Sequence, residues 1–366
     1  MELTPEELAF IHDSGTIDFI TRASSAFFDY VRQSKEVVVG QILSERYVLG
    51  YIKQENFHHL EEALGTAFVS SVPLVLGLLD RPSLEAAGIS QVHSQPYLNL
   101  KGRGVLIGIL DTGIDYTQDV FRYEDGSSKI QYIYDQTAEG PPPEGFLLGR
   151  EYSKADIDAA LAAQDPYTVV PQRDEDGHGT FLASMAAGRE TPDFAGAAPD
   201  SEIVAVKLRK ARPFYRQRFC VPEDQENAYE SSAVMLGVEY ILRKARDLDR
   251  PVVICIALGS NSGSHDGRSV FEEYLSGISI QRGVCLCAAA GNEAEARHHT
   301  GGVLEPGEKP GKVDLKVGED AGDVYIAVWN TVADRISVSV RSPSGELVGR
   351  VPAKPGIGPA ADVKLV

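Results

Sequence analysis

The stretch that most limits the fold begins at Gly104. Val105 to Leu110 is apolar throughout, Asp111 ends the run, and Gly113 turns the chain before Asp115. An unbroken apolar run of strand length lacks the alternation of a half-exposed strand, so it belongs in a sheet covered on both faces, as parallel sheets are. Parallel strands need crossovers, which are usually helices. In such sheets, ligands and reacting groups gather beyond the carboxyl ends of the strands, where Asp111 falls.

Two later stretches repeat the design. Arg173-Asp174-Glu175-Asp176-Gly177-His178-Gly179-Thr180 opens a helical run from Phe181 to Gly188, and the apolar strand Gly283 to Ala290 ends in Gly291-Asn292-Glu293. An acid, a histidine and an amide thus stand at strand ends or a helix start. On the motifs Asp111-Thr112-Gly113-Ile114-Asp115, Asp176-Gly177-His178-Gly179-Thr180 and Ala289-Ala290-Gly291-Asn292, the chain resembles the subtilisin-like serine proteases, or subtilases. The resemblance implies an α/β fold with a doubly wound parallel sheet, and acyl transfer by a serine nucleophile. His178 would take the serine proton and return it to the leaving amine, Asp111 would fix the imidazole tautomer, and Asn292 would donate its amide to the oxyanion. The backbones of Ala257-Leu258-Gly259 and Ala289-Ala290-Gly291 would form the walls of the substrate cleft; the family usually has serine where Ala257 stands. No metal-ligand cluster stands out in the sequence, the calcium loops of some subtilases have no counterpart that can be located, and no cofactor is expected. Each residue also has a plainer reading: Asp111 as a strand-end acid satisfying a turn, Gly177-His178-Gly179 as a helix cap, Asn292 as a left-handed turn residue.

A formal charge of −18 argues against sequence-independent nucleic-acid binding, which needs a basic surface. No apolar stretch is long enough to cross a bilayer. The acidic start, Met1-Glu2-Leu3-Thr4-Pro5-Glu6-Glu7, lacks the basic flank and apolar core of a secretion signal, so a cytoplasmic or spore-associated location is expected. Cys220, Cys255, Cys285 and Cys287 read as small buried hydrophobes in a reducing compartment. The glycines of Lys101-Gly102-Arg103-Gly104 precede their strand, whereas a dinucleotide loop must follow one, which excludes that reading.

Four regions are expected. Residues 1–36 form a helical segment, with Thr4 capping a helix over 5–12 and a second helix over 17–33. Residues 37–95 alternate strands (47–52, 67–70, 74–79, 89–92) with helices (55–64, 83–87), a small α+β module. Subtilases carry such a module as a prodomain, so it is implied to be this chain's own folding chaperone and inhibitor. Gln95 to Leu100 would be the linker, with self-processing near it. Residues 96–300 form the protease domain, with helices near 153–163, 229–246 and 269–280, and the arginine-rich loop 209–225 reads as solvated surface. From 301 to 366 the periodicity turns to strands at 313–317, 324–329 and 336–340, the start of a jelly-roll-like β insertion. That layout resembles the clostridial Csp-type germination subtilases.

No Gly-Thr-Ser, the family's serine motif, occurs in the chain. It is therefore expected to be the N-terminal portion of a longer serine endopeptidase acting on protein or peptide substrates, and inactive as it stands. Limited proteolysis in germination follows from the Csp-type resemblance. The alternative is a non-catalytic pseudoprotease with a binding or regulatory role. An aspartic protease, which Asp111-Thr112-Gly113 also fits, ranks last, because those enzymes need a second such motif or a symmetric β-fold dimer.

Overall fold

Six strands make the central sheet in the computed structural model, which describes residues 3–351 apart from 66–70, 74, 79–86, 94, 96, 98–99, 193, 264–265, 294–295, 306–309, 319–321 and 331–333. In spatial order they are Val284–Ala288, Val252–Ile256, Leu106–Asp111, Glu202–Lys207, Ile130–Asp135 and Arg150–Ser153. Neighbours pair in parallel except the last, an antiparallel edge. The chain enters at Leu106–Asp111, builds to one side, then crosses to the other with Val252–Ile256. That reversal puts the topological switch beside Asp111.

Strand periodicity assigns the two faces. Leu106, Leu110, Val204 and Val206 pack with the long helix Ser231–Asp247. Ile107, Ile109, Ile203 and Ala205 pack with Ala183 and Ala187 of the helix His178–Ala187. Asp111 follows Ile107 and Ile109 at spacings of two, so its side chain falls on the histidine helix's face.

The N-terminal region differs from expectation. Residues Thr16–Arg22 form a strand, not part of a helix, and the helix is Ser25–Ser34, capped by Ser24 accepting from the Phe27 N–H at 3.2 Å. The strand pairs antiparallel with Tyr47–Lys53, which also pairs with Val37–Leu43. The supposed helical segment 1–36 therefore contributes a strand to the same sheet as residues 37–53. The misreading has a physical cause. Ile17, Phe19, Val48 and Ile52 pack under the module's own helices, while Ile20, Leu43, Leu49 and Tyr51 pack against the long helix Ser231–Asp247. A strand buried on both faces loses its polar alternation, and Ile17 and Ile20 imitate helical spacing.

The helix Pro5–His12 carries the expected capping box on Thr4. Ile89–His93 is a short helix where a strand was expected; the strand over 67–70 and the helix over 83–87 lie outside the described residues. In the C-terminal region only Val338–Arg341 and Leu347–Val351 pair among the described residues, as an antiparallel hairpin. Residues 313–317 and 324–329 form no strand: alternation becomes a ladder only against a partner, and none is seated beside them among the described residues. Cys285 and Cys287 are exposed rather than buried, because Val284–Ala288 is the sheet's edge and carries no cover on their face among the described residues.

Candidate active site

Asp111 and His178 meet. His178 Nδ1 lies 2.9 Å from Asp111 Oδ1, with Asp111 fully buried and the imidazole 12% exposed. The same carboxylate oxygen accepts from the Thr112 N–H at 2.7 Å, which fixes its direction. Burial pushes the Asp111 carboxyl above its ordinary range, and the hydrogen bonds from His178 and Thr112 only partly offset this.

The pair is held by residues that sequence reasoning passed over. Asp174 caps the histidine helix: it accepts from the Gly177 N–H at 3.0 Å, the Thr180 N–H at 2.8 Å and the Thr180 hydroxyl at 2.6 Å. Thr112 donates its hydroxyl to Asp174 at 2.6 Å and accepts from the Gly179 N–H at 3.0 Å. Burial alone would raise the Asp174 carboxyl, but these donors outweigh it and hold it below its ordinary value. The available signal was an acid three residues ahead of a glycine that opens a helix. Asp115 stays a turn acid, accepting from Thr117 N–H and hydroxyl at 3.1 and 2.6 Å.

Two glycines in these motifs have a steric reason. A Cβ on Gly179 would stand 2.2 Å from the Gly113 carbonyl oxygen and 3.0 Å from the Asp111 Cβ, while Gly113 itself has φ +136°. The aspartate turn and the histidine helix thus touch backbone to backbone. Gly179→Ala is expected to lower stability by about 1–3 kcal/mol, as overpacking does, and to part His178 from Asp111. A fall in the denaturation midpoint checks it; an unchanged midpoint contradicts it.

Backbone pairing places one of the segments expected to wall the cleft. Val75–Leu78 lies between two short strands, antiparallel to both, with Leu78 opposite Leu258, Gly77 opposite Gly259, Val75 opposite Glu230 and Leu76 opposite Tyr229. Leu258–Gly259 therefore does seat an extended strand, and Ala257 just before it is buried. On the other side of that strand lies Tyr229–Glu230, which sequence reasoning had absorbed into a helix; that helix begins at Ser231. Ala289, Ala290, Gly291 and Asn292 are exposed beyond the edge strand, and the Ala289 N–H donates to the Ile256 carbonyl at 3.0 Å. No strand is seated on Ala289-Ala290-Gly291 among the described residues. A cavity of about 680 Å³ is bordered by both Thr112, next to Asp111 in the chain, and Tyr229.

The loop 209–225 is no solvated surface at its root. Tyr215 is buried in the N-terminal module's own core, with the Phe57 ring edge-on at 6.4 Å, and Arg209 and Arg212 are largely buried. Arginine and tyrosine bury readily when paired, which composition alone does not reveal.

Among solved structures, the Clostridium perfringens CspB protease is 30% identical, with a TM-score of 0.57 over 74% of this chain and 53% of that one. The chain thus spans about half that protein's length. EpiP, the epidermin leader peptide processing serine protease of Staphylococcus aureus, is 14% identical over 66% of this chain and 49% of its own, with a TM-score of 0.34. The MycP3 protease of the type VII (ESX-3) secretion system is 18% identical over 61% and 51%, with a TM-score of 0.32. The Subtilase family (peptidase S8) matches residues 102–357, most of the chain. By that match, this chain is a member of the subtilase family.

Proposed function

We propose that the chain supplies the acid and the base of a serine endopeptidase that cleaves peptides bound as an extended strand. The observation that carries this is the 2.9 Å His178–Asp111 contact in a molecule whose backbone at 229–230 and 258–259 already holds a β-strand. With Nδ1 turned to Asp111, Nε2 is the nitrogen assigned to take a serine proton and to return it to the leaving amine. Asn292 is the oxyanion donor, and Leu258–Gly259 with Tyr229–Glu230 pairs the substrate backbone, as in β-strand addition. Ala289-Ala290-Gly291 lines the far side. The N-terminal module acts as the chain's own chaperone and inhibitor, with Val75–Leu78 occupying the seat, and self-processing falls near the linker Gln95 to Leu100. The substrate is a protein cleaved at few sites, in line with the spore-germination role that the Csp-type resemblance implies.

The test is hydrolysis of an unfolded protein by the native full-length gene product, with and without a serine-directed fluorophosphonate. Hydrolysis abolished by the reagent is the expected result. No hydrolysis, with an extended peptide still bound, would hand the site to the pseudoprotease reading.

A further inference from the structure

The wall strand Tyr229–Glu230 is tied to the N-terminal module by buried charge. Asp18, on the strand Thr16–Arg22, and Glu230 are both fully buried. Arg209 stands between them and donates from Nη2 to Asp18 at 2.8 Å and to Glu230 at 3.1 Å. Arg212 closes the other side: its Nε is 3.1 Å from Asp18, and its backbone N–H donates to Glu230 at 2.7 Å. The Tyr215 hydroxyl donates to the Asp18 carbonyl, and the Arg212 guanidinium to that of Thr16. One step back along the same loop, the Leu208 N–H donates to the Asp111 carbonyl at 2.9 Å.

Adhesion alone does not account for this arrangement. The module already shares an apolar core with the helix Ser231–Asp247, and buried ion pairs seldom stabilise more than packed apolar side chains would. What charge adds is direction. Both oxygens of Glu230 are engaged, Oε1 by the Arg212 N–H and Oε2 by Arg209 and the Ser232 hydroxyl. The backbone at 229–230 is thereby set at the height where Leu76 and Val75 pair with it.

We propose that Asp18 is a positioning residue for the substrate cleft: through Arg209 and Arg212 it fixes Glu230, and so the wall against which an extended strand binds. The module then shapes the cleft through its first strand, independently of the segment that occupies the seat. This rests on the reading of the seat as the substrate cleft.

Amide hydrogen exchange on the whole chain, read by mass spectrometry in peptides covering 75–78, 229–230 and 106–111, tests it. Asp18→Asn is expected to speed exchange at 75–78 and 229–230 by about tenfold or more, the scale of a lost buried partner, and to leave Leu106–Asp111 as protected as before. Unchanged exchange at the wall overturns the proposal. So does an equal loss of protection in all three segments, which assigns the network to global stability. If Asp18→Asn does not fold, Glu230→Gln makes the same comparison from the wall side, with the same two overturning results. The cleft reading fails differently, as peptide that is neither bound nor cut by the full-length protein, and exchange at the pairing does not depend on it.

Discussion

Replacing His178 by alanine in the native full-length protein is expected to lower kcat for peptide hydrolysis by about 10⁴-fold or more, the scale on which serine-protease triads lose activity when one member is removed, with KM little changed. The argument for the split between kcat and KM is local. The strand seat is built from backbone at 229–230 and 258–259, so ground-state binding does not draw on the imidazole. The transition state does, because the proton must leave the nucleophile, and the imidazolium so formed is stabilised only where a carboxylate waits. In the proposed function Asp111 is that carboxylate: fully buried, 2.9 Å from Nδ1, and already aimed by Thr112. Retained turnover, or a loss appearing wholly in KM, would remove His178 from the chemistry.

The sheet and the meeting of Asp111 with His178 were legible because both rest on local rules. An apolar run ending in an acid marks a buried strand and its carboxyl end, and a glycine-bracketed histidine marks a helix start. What escaped was set by tertiary partners. Thr16–Arg22 read as helix because a second body covers its outer face, which erased the alternation that identifies a strand. Arg209 and Arg212 read as surface because their partner, Asp18, lies 191 residues away from Arg209 in sequence. Tyr229–Glu230 read as helix because two residues of strand carry no period, and only the segment paired with them reveals the wall. Asp174 was hidden among neighbouring acids. Cys285 and Cys287 were misjudged for the opposite reason: an apolar strand was assumed to be covered, and its face is open among the described residues.

The same network sets the largest expected loss of stability. Arg209→Met is expected to lower the unfolding free energy by about 3–5 kcal/mol, the cost of leaving buried charge without its partner; the arginine side chain is only 13% exposed, so solvent screens little of it. The loss should depend on pH, and the direction follows from the two carboxyls. Burial opposes ionisation of Asp18, but Arg209 and Arg212 hold its carboxyl well below the usual carboxylate range. Burial, reinforced by the charge of Asp18, pushes Glu230 up to about 8. For Asp18, with its folded value depressed, the stabilisation is present above the unfolded value and lost as pH falls through the acid range. For Glu230, with its folded value raised, it is present below the unfolded value and lost as pH rises through about 8. Without Arg209, Asp18 ionises less readily. The variant's deficit should therefore be smallest in mild acid, where both carboxyls can hold protons, and grow toward and beyond pH 8, where both must ionise with one cation fewer. Denaturant midpoints of the two proteins across that range decide the matter. A deficit independent of pH would mean that Arg209 stabilises by packing its stem, since a paired charge cannot lose its counter-ion without the titration of the remaining acids showing it.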